Sequence, residues 1–131
     1  MYGFVMYNLS GIQKGIQFCH AAVEYSRLAA KHKAYANYFD FADNHKTFIL
    51  LDGGSSNDMQ YNRRAELDGL NIPYAQFNEP DLNNSVSAIT FILPQDVYSI
   101  DLNNPGVEGD TDYARRYAIK SYISKFRLAS N

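Results

Sequence analysis

The pattern of apolar and polar positions predicts one long amphipathic helix over residues 11–33, directly after a short apolar run. Apolar residues recur at intervals of four, three and four positions, which is the period of a single helix face. They are Ile12, Ile16, Cys19 and Val23. We expect this stripe to pack on the core, with Ser10 as the N-cap of the helix and Cys19 as a small buried hydrophobe.

A polar row accompanies the apolar stripe one residue further along the helix. Its side chains are Gln13, Gln17, His20, Glu24 and Arg27. The spacing by itself supports two interpretations equally, a solvated helix flank and a functional site. His20 lies at the boundary between the two faces, and the small residues Ala21 and Ala22 after it leave room for another segment to approach.

The remaining pattern predicts a mixed sheet covered by helices. Strands are expected at residues 2–7, 47–51, 74–77 and 86–93, since each is a short apolar run that is rich in β-branched or aromatic residues. A short aromatic helix or turn is expected over 34–41, a helix from Ser55 or Ser56 to Gly69, and a last helix over 111–128. Strand–helix–strand passages favour right-handed crossovers.

Length and composition indicate a single domain over residues 1–131. A chain of 131 residues that is 46% hydrophobic can bury one core but not two. One cysteine excludes an intramolecular disulfide and is typical of a reducing compartment, so we expect a cytoplasmic protein. No apolar run approaches the roughly 18 residues of a membrane span, and the opening lacks the pattern of a signal peptide.

Charge is distributed unevenly along the chain. Residues 1–46 carry five basic and three acidic side chains, residues 47–110 two and ten, and residues 111–131 five and one. This distribution excludes a globally basic nucleic-acid-binding protein. A local basic patch formed by the two ends is still compatible with it.

The candidate chemistry is concentrated in two segments. His32 and His45 have no companion ligands at metal-binding spacing, so we expect neither a metal nor another cofactor. The turn over 53–56 is either a phosphate-binding loop or, more simply, the punctuation between a strand and a helix. The helix row and the 79–84 loop, which Ser85 and Ser87 follow, remain as candidates. Open α/β sheets bind ligands where the first helix begins, beyond the carboxyl end of the first strand.

These features resemble a known enzyme family. Gln17, His20 and Ala21 within a helix that follows an apolar strand, then an acidic turn and a hydroxyl-bearing strand, are similar to the archaeal and eukaryotic type of peptidyl-tRNA hydrolase. The segment 77–84 resembles a divergent bacterial and phage branch. The resemblance covers most of residues 2–128 and implies a four-stranded mixed sheet with helices on both faces.

The resemblance also implies site residues, with departures from the family pattern. Gln17 and His20 match the family's glutamine and histidine. The family's lysine position holds Gln13, and Lys14 is the nearest replacement, about 100 degrees away around the helix. Glu79 is the first counterpart of the family's acid and Asp81 the second. Asn83 and Asn84 complete the loop, and Ser85 or Ser87 stands for the family's threonine.

The implied activity is hydrolysis of the ester between a peptide and the 3′ end of tRNA. Glu79 or His20 would position or deprotonate water, while Lys14 and the glutamine amides would hold the carbonyl or a phosphate. The tRNA backbone would need Lys31, Lys33 and the last helix. The alternative is a non-catalytic module that binds a nucleotide, RNA or protein in the same cleft, for which 11 tyrosines are also suited. A homodimer is expected by resemblance.

Overall fold

A computed structural model describes residues 1–130, and its centre is a four-stranded mixed sheet in the order β2-β1-β4-β3. β1 pairs in parallel with β2, and β4 is antiparallel to both β1 and β3. The strands are β1 (Tyr2–Val5), β2 (Ile49–Asp52), β3 (Tyr74–Glu79) and β4 (Ser85–Phe91). The predicted α/β class and the four strands are therefore confirmed.

The helices differ from the prediction mainly in length. They are α1 (Gly11–Ala29), α2 (Asn37–Asp40), α3 (Ser56–Asp58), α4 (Arg64–Gly69), α5 (Gln95–Tyr98) and α6 (Thr111–Ser124). A π-helical turn, Phe41–His45, extends α2, and a second one, Met59–Arg63, joins α3 to α4. Single 3₁₀ turns cover Lys33–Tyr35 and Pro80–Leu82. The one-turn α5 was not predicted, because only Val97 is buried in a polar segment.

Hydrophobic clusters lie on both faces of the sheet. One contains Phe4, Leu51 and Phe91 from the strands together with Met59, Leu67 and Ile119 from the α3–α4 segment and α6. The other contains Val5, Ala75 and Ala88 from the strands together with residues of α1. Helices therefore cover both faces, and α1 alone supplies most of the helical side of the second cluster.

The predicted rotation of α1 is wrong. Ile12 is 78% exposed, Ile16 42% and Val23 58%, and Cys19 is exposed as well. The buried positions of α1 are instead Lys14, Gln17, Phe18, Ala21, Tyr25 and Ala29. The stripe that was expected to enter the core therefore faces outwards.

A second apolar stripe explains this orientation. Phe18, Ala21, Tyr25 and Ala29 are also spaced at one-face intervals, so α1 carries two competing apolar faces. The second stripe buries two large aromatic side chains, Phe18 and Tyr25. Phe18 also fits directly over Gly3 of β1, where an added Cβ would lie 2.3 Å from its ring carbons.

Residues 1–130 contain neither a membrane-spanning helix nor a cluster of metal-binding side chains. No helix in this part of the chain combines the length and the apolar character needed to cross a bilayer. The same residues contain no cluster of three histidine, cysteine, aspartate or glutamate side chains placed to hold a metal ion.

Candidate functional site

The functional side chains predicted from sequence concentrate at one end of the sheet. The carboxyl ends of β1 and β3 and the amino end of β4 meet there, because β4 is antiparallel to both strands. The Met6 amide donates to the Ser87 carbonyl (3.3 Å) and the Tyr7 amide to the Gly54 carbonyl (3.0 Å). Since α1 begins immediately after β1, its first turns lie at this same end.

Ser87 is brought to α1 by a β-bulge. Phe77 pairs with Ala88 and Asn78 pairs with Val86, so Ser87 has no partner on β3. Bulges of this kind redirect a side chain. The fully buried Ser87 hydroxyl donates to Gln17 Oε1 over 2.5 Å, with the Phe77 carbonyl 3.3 Å away as a second acceptor.

Gln17 and Lys14 make the inner face of α1 polar at its first turns. Gln17 is 4% exposed and Lys14 5%. The Lys14 ammonium donates to the main-chain carbonyl of Ser130 and has no carboxylate partner among residues 1–130. Burial of an ammonium without a counter-ion is costly. Lys14 is thus a desolvated cation that holds a carbonyl oxygen.

His20 takes a different position from Gln17. It is exposed, and its ring stacks on Phe77 of β3 with the centroids 4.4 Å apart and the planes at 21°. The Phe77 carbonyl also lies 3.3 Å from the Ser87 hydroxyl, so Phe77 contacts both His20 and Ser87. Stacking fixes the plane of the ring and leaves its edge to solvent.

The loop after β3 reaches the correct end of the sheet without joining the polar pair. Glu79 is half-buried at the end of β3, and its carbonyl accepts from the Asn84 amide (2.9 Å). Asp81 is exposed in the turn that follows. Within residues 1–130 the carboxylates of Glu79 and Asp81 form no hydrogen bond or ion pair, whether to Gln17, to His20 or to any other residue.

The other predicted binding residues lie at the surface or beside the loop. Asn83 and Asn84 are exposed and adopt left-handed backbone conformations with φ of 55° and 57°, which asparagine tolerates better than most residues. Ser85 is half-buried opposite Glu79. Gln13 is exposed, and its amide donates to the Ser10 hydroxyl (3.2 Å), which confirms the N-cap.

One carboxylate at this end of the sheet, that of Asp52, was not among the predicted site residues. Asp52 ends β2 in register with Val5, which belongs to the cluster on the α1 face. Its carboxylate accepts from the Gly54 amide (2.9 Å) and lies 3.7 Å from the Arg127 guanidinium. An acid at the end of a short apolar run was the available signal, but the glycines that follow it were interpreted only as a turn or a phosphate-binding loop.

A cavity of about 300 Å³ lies at the opposite end of the sheet. Its wall includes Met1, Ile49, Ile92 and the polar side chains of Asp40 and His45. The Asp40 carboxylate is already engaged by Asn44 (2.7 Å) and by His45 (3.1 Å). Asp40 and His45 thus bind each other, whereas the ammonium of Lys14 is held, within the described part of the chain, only by a carbonyl. This cavity is therefore the weaker candidate.

The basic residues expected to contact tRNA do not gather at the site. Lys31 and Lys33 follow the far end of α1. In α6 the Arg115 guanidinium binds the carbonyls of Leu70 and Asn71 at 3.2 Å, and the Lys120 ammonium binds those of Tyr98 and Ile100. The site therefore offers one buried cation and few partners for a phosphate backbone.

Comparisons of this chain with protein-family models, with curated proteins and with solved structures find no match.

Proposed function

We propose that this chain is a peptidyl-tRNA-hydrolase-like enzyme that cleaves the ester joining a peptide to the 3′ end of tRNA. The observation that carries the proposal is the Lys14 ammonium, buried and engaged with a carbonyl oxygen at the end of α1 where Gln17 and Ser87 meet. An ammonium in a desolvated position stabilises the negative charge that develops on a carbonyl oxygen under attack.

The reaction uses water and no further reagent. The water oxygen attacks the ester carbonyl carbon, the bond from that carbon to the ribose oxygen breaks, and a proton passes to the leaving ribose oxygen. Lys14 holds the carbonyl oxygen, and the Gln17 amide orients the ester. The proton that water loses passes through solvent to His20, which is held on Phe77 at the β3 edge of the sheet, and returns by the same route to the ribose oxygen. Glu79 orients the water from the neighbouring loop.

The test is release of tRNA from purified peptidyl-tRNA by the full chain. Lys14→Met keeps most of the side-chain length and is expected to lower kcat by about 10²- to 10³-fold, as loss of an oxyanion donor does. Lys46→Met removes an exposed lysine outside the set expected to contact tRNA and serves as the matched control, with kcat unchanged. Absence of hydrolysis by the unaltered protein, or equal kcat for both variants, would refute the proposal.

A non-catalytic binding module is the second candidate function. The observation that favours it is that the Gln17 and Ser87 side chains are hydrogen-bonded to each other, with no carboxylate of residues 1–130 beside them. The same assay separates the two candidates when binding of deacylated tRNA is measured in parallel. Binding without ester cleavage supports the module.

We also propose that two copies associate through the outer face of α1. The exposed stripe has the spacing of a helix-pairing seam, and 19 residues make α1 about 28 Å long. Stable complexes bury roughly 800 Å² per partner. Two helices of this length, together with the side chains along the rim of their contact, would bury an area that approaches this value. Light scattering should show a dimer that Ile16→Asp dissociates, whereas Val107→Asp, at an exposed position outside the stripe, should not.

A further inference from the structure

The outer edge of β2 is covered by the segment 127–130, which lies along it as a short added strand. The Asp52 amide donates to the Arg127 carbonyl (3.0 Å), and the Ala129 amide donates to the Leu50 carbonyl (2.9 Å). Leu128 forms an antiparallel bridge with Leu51 between these two bonds. An edge strand with free main-chain groups is a template for pairing with another extended segment.

The added strand runs from the carboxyl end of β2, opposite Asp52, toward the amino end of β2, and it meets the candidate site at one residue, Lys14. Past Ala129, the next carbonyl is that of Ser130, and it accepts from the Lys14 ammonium. Any extended segment that pairs antiparallel with β2 in this register delivers a carbonyl oxygen to the buried lysine.

Main-chain groups hold the segment more than its side chains do. Leu128 is 67% exposed, and the Arg127 side chain is 88% exposed at 3.7 Å from Asp52. An ion pair that is this exposed contributes little stability. Ala129 is half-buried but small. Strand addition of this type binds through the backbone and tolerates varied side chains.

We propose that the outer edge of β2 binds the peptide part of the ester substrate as an added strand, and that segment 127–130 occupies this edge when substrate is absent. This inference rests on the proposed hydrolase function and specifies its substrate as an extended peptidyl group of variable sequence. The Ser130 carbonyl stands where the ester carbonyl would be held by Lys14. Recognition through the peptide also accounts for the small number of basic groups around the site.

Two proline variants of the full chain test the displacement. Ala129→Pro removes the amide that donates to the Leu50 carbonyl and should release the segment. Leu128→Pro is the matched control, because the Leu128 amide donates to no other residue within 1–130 and its side chain is exposed. Hydrogen exchange of the β1 amides should be unchanged in both variants if the sheet is intact.

The probe is a fluorescein-labelled peptide, Phe-Arg-Leu-Ala-Ser-amide, which copies residues 126–130. Because the internal segment competes with it, Ala129→Pro should bind this peptide about tenfold more tightly than the unaltered protein or Leu128→Pro. The Asp52 amide should exchange faster in Ala129→Pro and regain protection when peptide is added. Equal peptide affinity in all three proteins, or unchanged exchange at Asp52, would overturn the inference.

Two ester substrates separate this inference from the proposed function. With tRNA carrying a four-residue peptide, Ala129→Pro should show a KM lowered about tenfold, whereas the KM for tRNA carrying a single N-acetylated residue should not change. Peptide binding at β2 without cleavage of either ester would support the peptide subsite and refute the hydrolase function. Cleavage with a KM that depends neither on peptide length nor on Ala129 would support the hydrolase function and refute the peptide subsite.

Discussion

The two faces of α1 point in nearly opposite directions, and neither has the composition that is usual for a surface helix. The face on the sheet combines aromatic and small residues with the buried polar groups of Lys14 and Gln17. The outward face carries an exposed apolar stripe from Ile12 to Val23. A helix that only covered a core would have an apolar inner face and a polar outer face. The inner face therefore carries the groups of the proposed site, and the outer face carries the surface of the proposed dimer.

The largest expected effect is on the free energy of unfolding, which should respond differently to truncation on the two faces of α1. Phe18→Ala should lower the free energy of unfolding by about 3–5 kcal/mol, because the ring fills the space between α1 and Gly3. Ile12→Ala should change it by less than about 0.5 kcal/mol, since the side chain is exposed. Urea denaturation measures both values. A larger loss for Ile12→Ala than for Phe18→Ala would show that the rotation of α1 is incorrect.

A smaller effect concerns the polar pair on the inner face. Ser87→Ala leaves Gln17 Oε1 buried without a donor and should cost about 1–3 kcal/mol. The double variant Gln17→Leu with Ser87→Ala should recover part of that loss, because no buried polar atom is left unpaired. Ser85→Ala, at a half-buried position on the same strand, is the control. Strictly additive losses in the double-mutant cycle would contradict the pairing.

Alkaline pH should act through the inner face as well. Burial is the main cause that raises the pKa of Tyr25 well above 10.0, although its hydrogen bond to Asn37 acts the other way. The folded state keeps this proton at a pH where the unfolded state loses it. The contribution of Tyr25 to stability should therefore be constant below pH 10 and should fall as the pH rises further. Tyr25→Phe should flatten this decline in urea titrations, and an identical slope would contradict the assignment.

The smallest effect on stability is expected at Cys19 on the outward face. Because the thiol is exposed, a maleimide should modify it completely in the folded protein. Cys19→Ser should change the free energy of unfolding by less than about 0.5 kcal/mol. Mass spectrometry after timed labelling gives the rate. If modification required urea, Cys19 would be buried in the folded protein and the exposed position would be wrong.

The sequence by itself determined the α/β class and the positions of the four strands. Each strand is a short apolar run with its own local turn signals, such as Asn8 to Gly11 after β1 or Pro94 after β4. The Ser10 cap and the end of the sheet that carries Gln17, Ser87 and the 79–84 loop were predictable for the same reason. Local chemistry and chain order decide these features.

Only the tertiary structure decided which side of α1 is inside and which groups meet there. The helix carries two apolar stripes, and the choice between them depends on the fit of Phe18 over Gly3. The Ser87 bulge depends on the register between β3 and β4. Lys14 and Ser130 are 116 positions apart, and their contact follows from the pairing of the 127–130 segment with β2. Such contacts are set by packing between distant segments, which no local periodicity encodes.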